Sequence, residues 1–150
     1  MIALWGLKSL HVLGAVVWVG GMFFALLVLR PSLAVLEPPQ RLALHAQVFR
    51  RFFLMVWHIW PVMLLTGYAL VFVGYGGFRY TPWTVHVMHA LGLVMVAAYL
   101  AIFFGPWRAM RVAIASGDRA AAAGSMDRIR KLITANLVLG LITSGIAAFG

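Results

Sequence analysis

Five histidines, His11, His45, His58, His86 and His89, are the side chains of this sequence best equipped for chemistry. Imidazole is a base, an acid or a metal ligand near neutral pH. The chain has no cysteine, which excludes disulfides, thiolate metal sites, iron–sulfur clusters and covalently attached c-type heme. Its three acids, Glu37, Asp118 and Asp127, all lie outside the long apolar runs, so any proton transfer inside those runs falls to a histidine. His11, His58, His86 and His89 sit within or at the edge of apolar runs, where an ionisable group is costly and therefore a functional candidate. His86 and His89, three residues apart, share one helix face. His45 lies outside the apolar runs and reads as an interfacial residue.

The elements that must position these groups are membrane spans. Of 150 residues, 64% are hydrophobic and only 10% are charged, too little polar surface for a small soluble domain. That balance excludes a soluble enzyme, a disordered chain and a nucleic-acid-binding domain, despite a net charge of +9. A span needs about 20 apolar residues. Four stretches meet or approach this, at about 4–29, 52–73, 83–104 and 132–149. The first stretch is longer than the roughly 7–15 residues of a signal-peptide core and reads as a retained helix. It should stop at Arg30-Pro31, and the third at Gly105-Pro106. The second helix should begin early, near Arg41, because Leu42, Leu44, Ala46 and Phe49 alternate with Arg41, His45 and Arg50 in an amphipathic pattern. The segment Arg108–Lys131 should continue the helices into the cytosol, with Ser116-Gly117-Asp118 as a helix stop followed by a new cap, and Gly74, Gly76 and Gly77 mark the turn between the second and third spans. The expected fold is all-α: a single domain (1–150), an up-down-up-down four-helix membrane bundle. Gly21 with Ala25, and Gly140 with Ser144, are spaced to let helix backbones approach closely.

Arg30, Arg41, Arg50 and Arg51 flank the first connection, and Arg108, Arg111, Arg119, Arg128, Arg130 and Lys131 occupy the third, whereas the second holds only Arg79. The positive-inside rule places the first and third connections in the cytoplasm and both termini on the periplasmic side of a bacterial inner membrane. At about 1.5 Å per residue, His11, His89 and His86 fall roughly 9, 8 and 12 Å to the outer side of their midpoints, and His58 roughly 8 Å to the inner side.

His11 with His89, or His86 as alternate, could therefore hold a b-type heme edge-on between the first and third spans. Trp18 and Met22 on the His11 face would wall such a site. Electron transfer with a quinol or another membrane redox partner would follow, or oxidoreductase chemistry on a porphyrin. The second reading is copper, held by the same histidines with Met22 as a further ligand, since imidazole and thioether are both copper ligands. A cofactor-free accessory subunit, its histidines satisfied internally, is the third reading. His58 has a structural alternative: Pro61 frees the carbonyl of Trp57, which a nearby polar side chain could repair. Asn136, Thr66 and Tyr68 read as interhelical hydrogen-bonding groups, the arginines as topology determinants and lipid contacts, and the glycine faces as surfaces for self-association.

Leu7-Lys8-Ser9-Leu10-His11, followed by Trp18, Gly20 and Gly21, resembles the first helix of the CopD-type copper-resistance and HemJ-type protoporphyrinogen oxidase families of small bacterial membrane proteins. Ile129-Arg130-Lys131-Leu132, Asn136-Leu137 and Leu139-Gly140 resemble the last span of short CopD-like proteins. The resemblance implies a role for His11 in heme or metal binding. Phe24-Ala25-Leu26-Leu27 departs from the Tyr-Leu-Pro-Arg type of sequence that HemJ-type proteins carry at this point.

Overall fold

A computed structural model describes residues 2–149. It contains four helices long and apolar enough to cross a membrane: α1 (Ile2–Val35), α2 (Pro38–Gly74), α3 (Trp83–Ala115) and α4 (Arg119–Ala147). Each is longer than its apolar stretch or close to it, and local chemistry sets the ends. Between α1 and α2, the Glu37 side chain accepts from the backbone of Gln40 while the Glu37 N–H donates to Gln40 Oε1 at 3.1 Å, and Pro38 opens the helix. Between α2 and α3 the chain turns on Gly76 and Gly77, with φ of 80° and 121°, conformations that residues with a Cβ rarely adopt. Between α3 and α4, Gly117 takes φ 75° and the Asp118 carboxylate accepts from the Ala121 N–H at 2.9 Å.

Neither Arg30-Pro31 nor Gly105-Pro106 stops its helix, contrary to the sequence-based expectation. Gly105-Pro106 lie inside the π-helical segment Phe103–Trp107 of α3, and Arg30-Pro31 directly follow the π-helical segment Phe24–Leu29 of α1. A π turn bonds across five residues, as Arg30 N–H does to the Ala25 carbonyl, and the wider ring accommodates a proline that lacks an N–H. A third π segment, Leu70–Gly74, ends α2.

In the bundle α1 packs on α2 and α4, and α3 packs on α4. Glycines set the close contacts. Gly21 faces the Phe52 ring so tightly that a Cβ there would overlap it. A Cβ on Gly140 would fall 2.8 Å from Val19 Cγ2 and 3.1 Å from Met95 Cε. The contact between α2 and α3 is built from rings instead. Phe53 lies 5.4 Å from Trp107 and 6.1 Å from Tyr99, and Trp57 stacks on Phe103 at 5.1 Å. The Tyr99 hydroxyl donates to the Phe53 carbonyl at 2.7 Å. The buried core, including Trp18, Met22, Phe49, Phe53, Tyr99, Trp107, Ile129 and Ile133, is weighted toward the end of the bundle that carries the arginine-rich connections. The outward surface is apolar, with Leu13, Val16, Phe24, Leu65, Phe72 and Leu141 exposed, as a bilayer-facing surface must be. Asn136, buried on α4, donates from Nδ2 to the Met95 carbonyl of α3 at 3.3 Å, an interhelical bond as its sequence position suggested.

Candidate functional site

The end of the bundle opposite the arginine-rich connections carries His11, His86 and His89, and α2 holds two of them. His11 reaches α2 because residue 67 is glycine: a Cβ there would stand only 3.2 Å from the His11 ring at Cε1. Its Nδ1 lies 3.0 Å from Thr66 Oγ1. The buried Thr66 hydroxyl lies 2.7 Å from the Val62 carbonyl, to which it donates its one proton. With that proton directed at Val62, the hydroxyl accepts from Nδ1–H, the tautomer in which His11 Nε2 carries an unshared lone pair. A partner that orients one ring nitrogen and leaves the other basic is the arrangement metal-binding histidines use. Met63, one turn before Thr66, fills the same seam. A Cβ on Gly14 would meet its sulfur at 2.6 Å, and Gly14 is itself three residues beyond His11. A thioether and an imidazole thus share one seam, their contacts on α1 lying within one helical turn of each other.

His89 lies on the other side of the same stretch of α2, its Nε2 2.9 Å from the Tyr68 hydroxyl. Thr66 and Tyr68 therefore hold His11 and His89 at a common level on α2, through different faces of one turn. The Thr81 hydroxyl donates to the Phe78 carbonyl at 2.8 Å and so accepts from His86 Nε2 at 3.1 Å. The ring of Phe78 stands 5.9 Å from that of His86 and 5.0 Å from that of His89, covering both imidazoles. His86 is exposed and His89 half-buried.

The remaining sequence candidates lie elsewhere. His58 is exposed and engages the Leu54 carbonyl through Nδ1 at 2.8 Å, not the Trp57 carbonyl that Pro61 frees. His45 engages the Arg41 carbonyl through Nδ1 at 2.9 Å, at the arginine end. Trp18 and Met22 are packed in the core, Trp18 edge-on to Tyr99 at 6.4 Å. Among the described residues no three His, Cys, Asp or Glu side chains gather closely enough to hold a metal ion together, so His11, His86 and His89 do not form one three-ligand centre.

This donor set fits the two metal readings differently. A heme between two histidines needs the outer ring nitrogen, Nε2, of both. His11 offers it, but Nε2 of His89 and of His86 is engaged by a hydroxyl. As arranged, the pair does not fit a bis-histidine heme. Copper(I), which accepts few ligands and favours imidazole and thioether, suits the His11–Met63 seam. Met63, Gly67, Phe78 and Thr81 are not legible as site residues in the sequence, because each lies on a different element from the histidine it serves or carries no group that chemistry alone would single out.

An antiparallel bundle of four apolar helices whose surface is apolar on all sides defines a multi-pass membrane protein in contact with the lipid bilayer. The family of copper resistance protein D, CopD, matches residues 46–149, well over half of the chain, and the chain belongs to that family. The match takes in Met63, Thr66, Tyr68, His86 and His89 and leaves the whole of α1, with His11, outside it. No curated protein and no solved structure matches the chain.

Proposed function

We propose that the protein handles copper as cargo, taking up Cu(I) at the histidine end of the bundle for passage into or across the membrane. The observation that carries this reading is the Val62–Thr66–His11 relay, which turns Nδ1 of His11 to Thr66 and leaves Nε2 as a lone-pair donor in the same α1–α2 seam that holds the Met63 thioether. Membership of a copper-resistance family supports it. His86 and His89, with Nδ1 of each unengaged by protein, form a more accessible pair at which an ion could first be captured. Two-donor sites bind a soft ion without enclosing it, which suits transfer better than storage. The excess of arginine in the first and third connections supports an orientation with those connections in the cytoplasm of a bacterial cell, so that the histidine end faces the periplasm.

The test is Cu(I) competition against a chromogenic chelator, with detergent-purified protein. We expect binding near one equivalent, weakened at least about tenfold by His11→Ala and Met63→Leu and less by His89→Ala, since loss of a ligand's support alone costs 10–100-fold. Binding unchanged in His11→Ala would overturn the seam as the site. A reduced optical spectrum with the sharp bands of six-coordinate heme, lost in His11→Ala and His89→Ala, would instead establish the cytochrome reading.

A further inference from the structure

At the arginine end, α1, α2 and α4 enclose a cavity of about 70 Å³ that has no part in the copper reading. Its apolar walls are Leu26, Leu29, Phe49 and Ile133, and its polar lining is Arg30, His45, Asp127 and Arg130. Every residue that α1 contributes belongs to the π segment Phe24–Leu29 or is Arg30, which follows directly. The π turn thus shapes one wall, and such turns often mark functional positions in helices. Asp127 is the one acid of the lining, and it is already paired, with Arg130 and, at 2.9 Å, with Lys131. Arg130 uses one guanidinium nitrogen on Asp127 and keeps its other donors, while Arg30 has no carboxylate partner among the described residues. His45 spends Nδ1 on the Arg41 carbonyl and is held at 5.6 Å from the Phe49 ring, with Nε2 uncommitted. The cavity is therefore net positive, walled in part by apolar side chains, and sized for one compact anionic group rather than a whole ligand.

We infer that this cavity binds a phosphate group, held by Arg30 and Arg130 with His45 at its wall. Arginine forks match phosphate geometry, and basic pockets between membrane helices at this level accept phospholipid headgroups. A lipid phosphate and free inorganic phosphate share that chemistry.

The full chain, purified in a neutral detergent, is exposed to phosphatidylglycerol, and retained lipid is counted by native mass spectrometry. Parallel titrations use phosphatidylcholine and inorganic phosphate. Arg30→Gln and Arg130→Gln should each weaken phosphatidylglycerol retention about tenfold, the worth of a charge-assisted hydrogen bond. Arg128→Gln, which removes the same charge from an exposed position outside the cavity, should leave it unchanged. Melting temperature without lipid separates lost binding from lost folding: the inference requires Arg30→Gln to keep the parent value. Displacement of the lipid by millimolar inorganic phosphate would identify free phosphate as the ligand, and retention against it would identify a lipid headgroup. Equal loss in Arg128→Gln, or no preference for phosphatidylglycerol over phosphatidylcholine with no phosphate effect, would overturn the inference.

Discussion

Helix α2 meets its two neighbours in opposite ways. Toward α1 the contacts are made at Gly14, Gly21 and Gly67, and the seam is narrow. Toward α3 the contacts are made by Phe49, Phe53 and Trp57 against Tyr99, Phe103 and Trp107, rings that hold the two backbones apart. In lipid, association rests on packing and interhelical hydrogen bonds rather than on expulsion of water. The wide seam supplies the first through ring area. Both seams supply the second: across the wide seam it takes the long reach of a tyrosine, Tyr99 to the Phe53 carbonyl and Tyr68 to His89, whereas in the narrow seam the backbones approach closely enough for the short Thr66 to orient an imidazole on the next helix. One helix thus carries ring mass on one side and a close backbone approach on the other.

The contrast can be broken from either side. The largest effect should come from Phe53→Ala, which empties the centre of the ring seam and should cost about 3 kcal/mol or more, read by thermal unfolding in detergent. Gly21→Val should cost about 1–3 kcal/mol by forcing α1 away from Phe52, and Phe52→Leu in the same chain should recover part of it. If the glycine change proved costlier than the phenylalanine change, the ring seam would not be the main support. Thr66→Val keeps the shape but removes the relay. It should cost about 1 kcal/mol of stability, yet weaken Cu(I) binding about tenfold or more, with Thr66→Ser restoring it. Tyr99→Phe, which deletes a buried hydrogen bond inside the ring seam, should cost least, about 0.6 kcal/mol, and leave Cu(I) binding untouched.

The bundle was legible in the sequence because membrane spans are written in composition. The Asp118 cap and the Gly76-Gly77 turn were legible too, each tied to a residue type with one strong conformational preference. Helix continuation through Pro31 and Pro106 was not, because a proline signals a break and the π turn that absorbs it has no sequence signature of its own. The ring seam was present as spacing: 49, 53 and 57 on one helix and 99, 103 and 107 on the other, each four apart and so on one face. Of the candidate site, the histidines could be named, and so could Thr66 and Tyr68 as interhelical hydrogen-bonding groups, but not the pairing between them. That Thr66 meets His11 and Tyr68 meets His89 follows only from the level at which the fold sets them. Which ring nitrogen is left basic depends on where a single hydroxyl proton goes, and that is a matter of geometry.

The π segment of α1 sets a rotational phase as well as a cavity wall. In an α-helix each residue advances by about 100°. A π turn takes up one extra residue per turn, so everything after Phe24–Leu29 is rotated relative to an unbroken helix. Straightening 24–29 into α-helix with no residue removed would turn Arg30 by roughly a quarter of a circle relative to Trp18 and Met22, whereas removing one residue as well would leave it aimed as it is. The π segment is in this sense a directional device: it leaves the membrane crossing intact and decides which way the charge at its end is aimed.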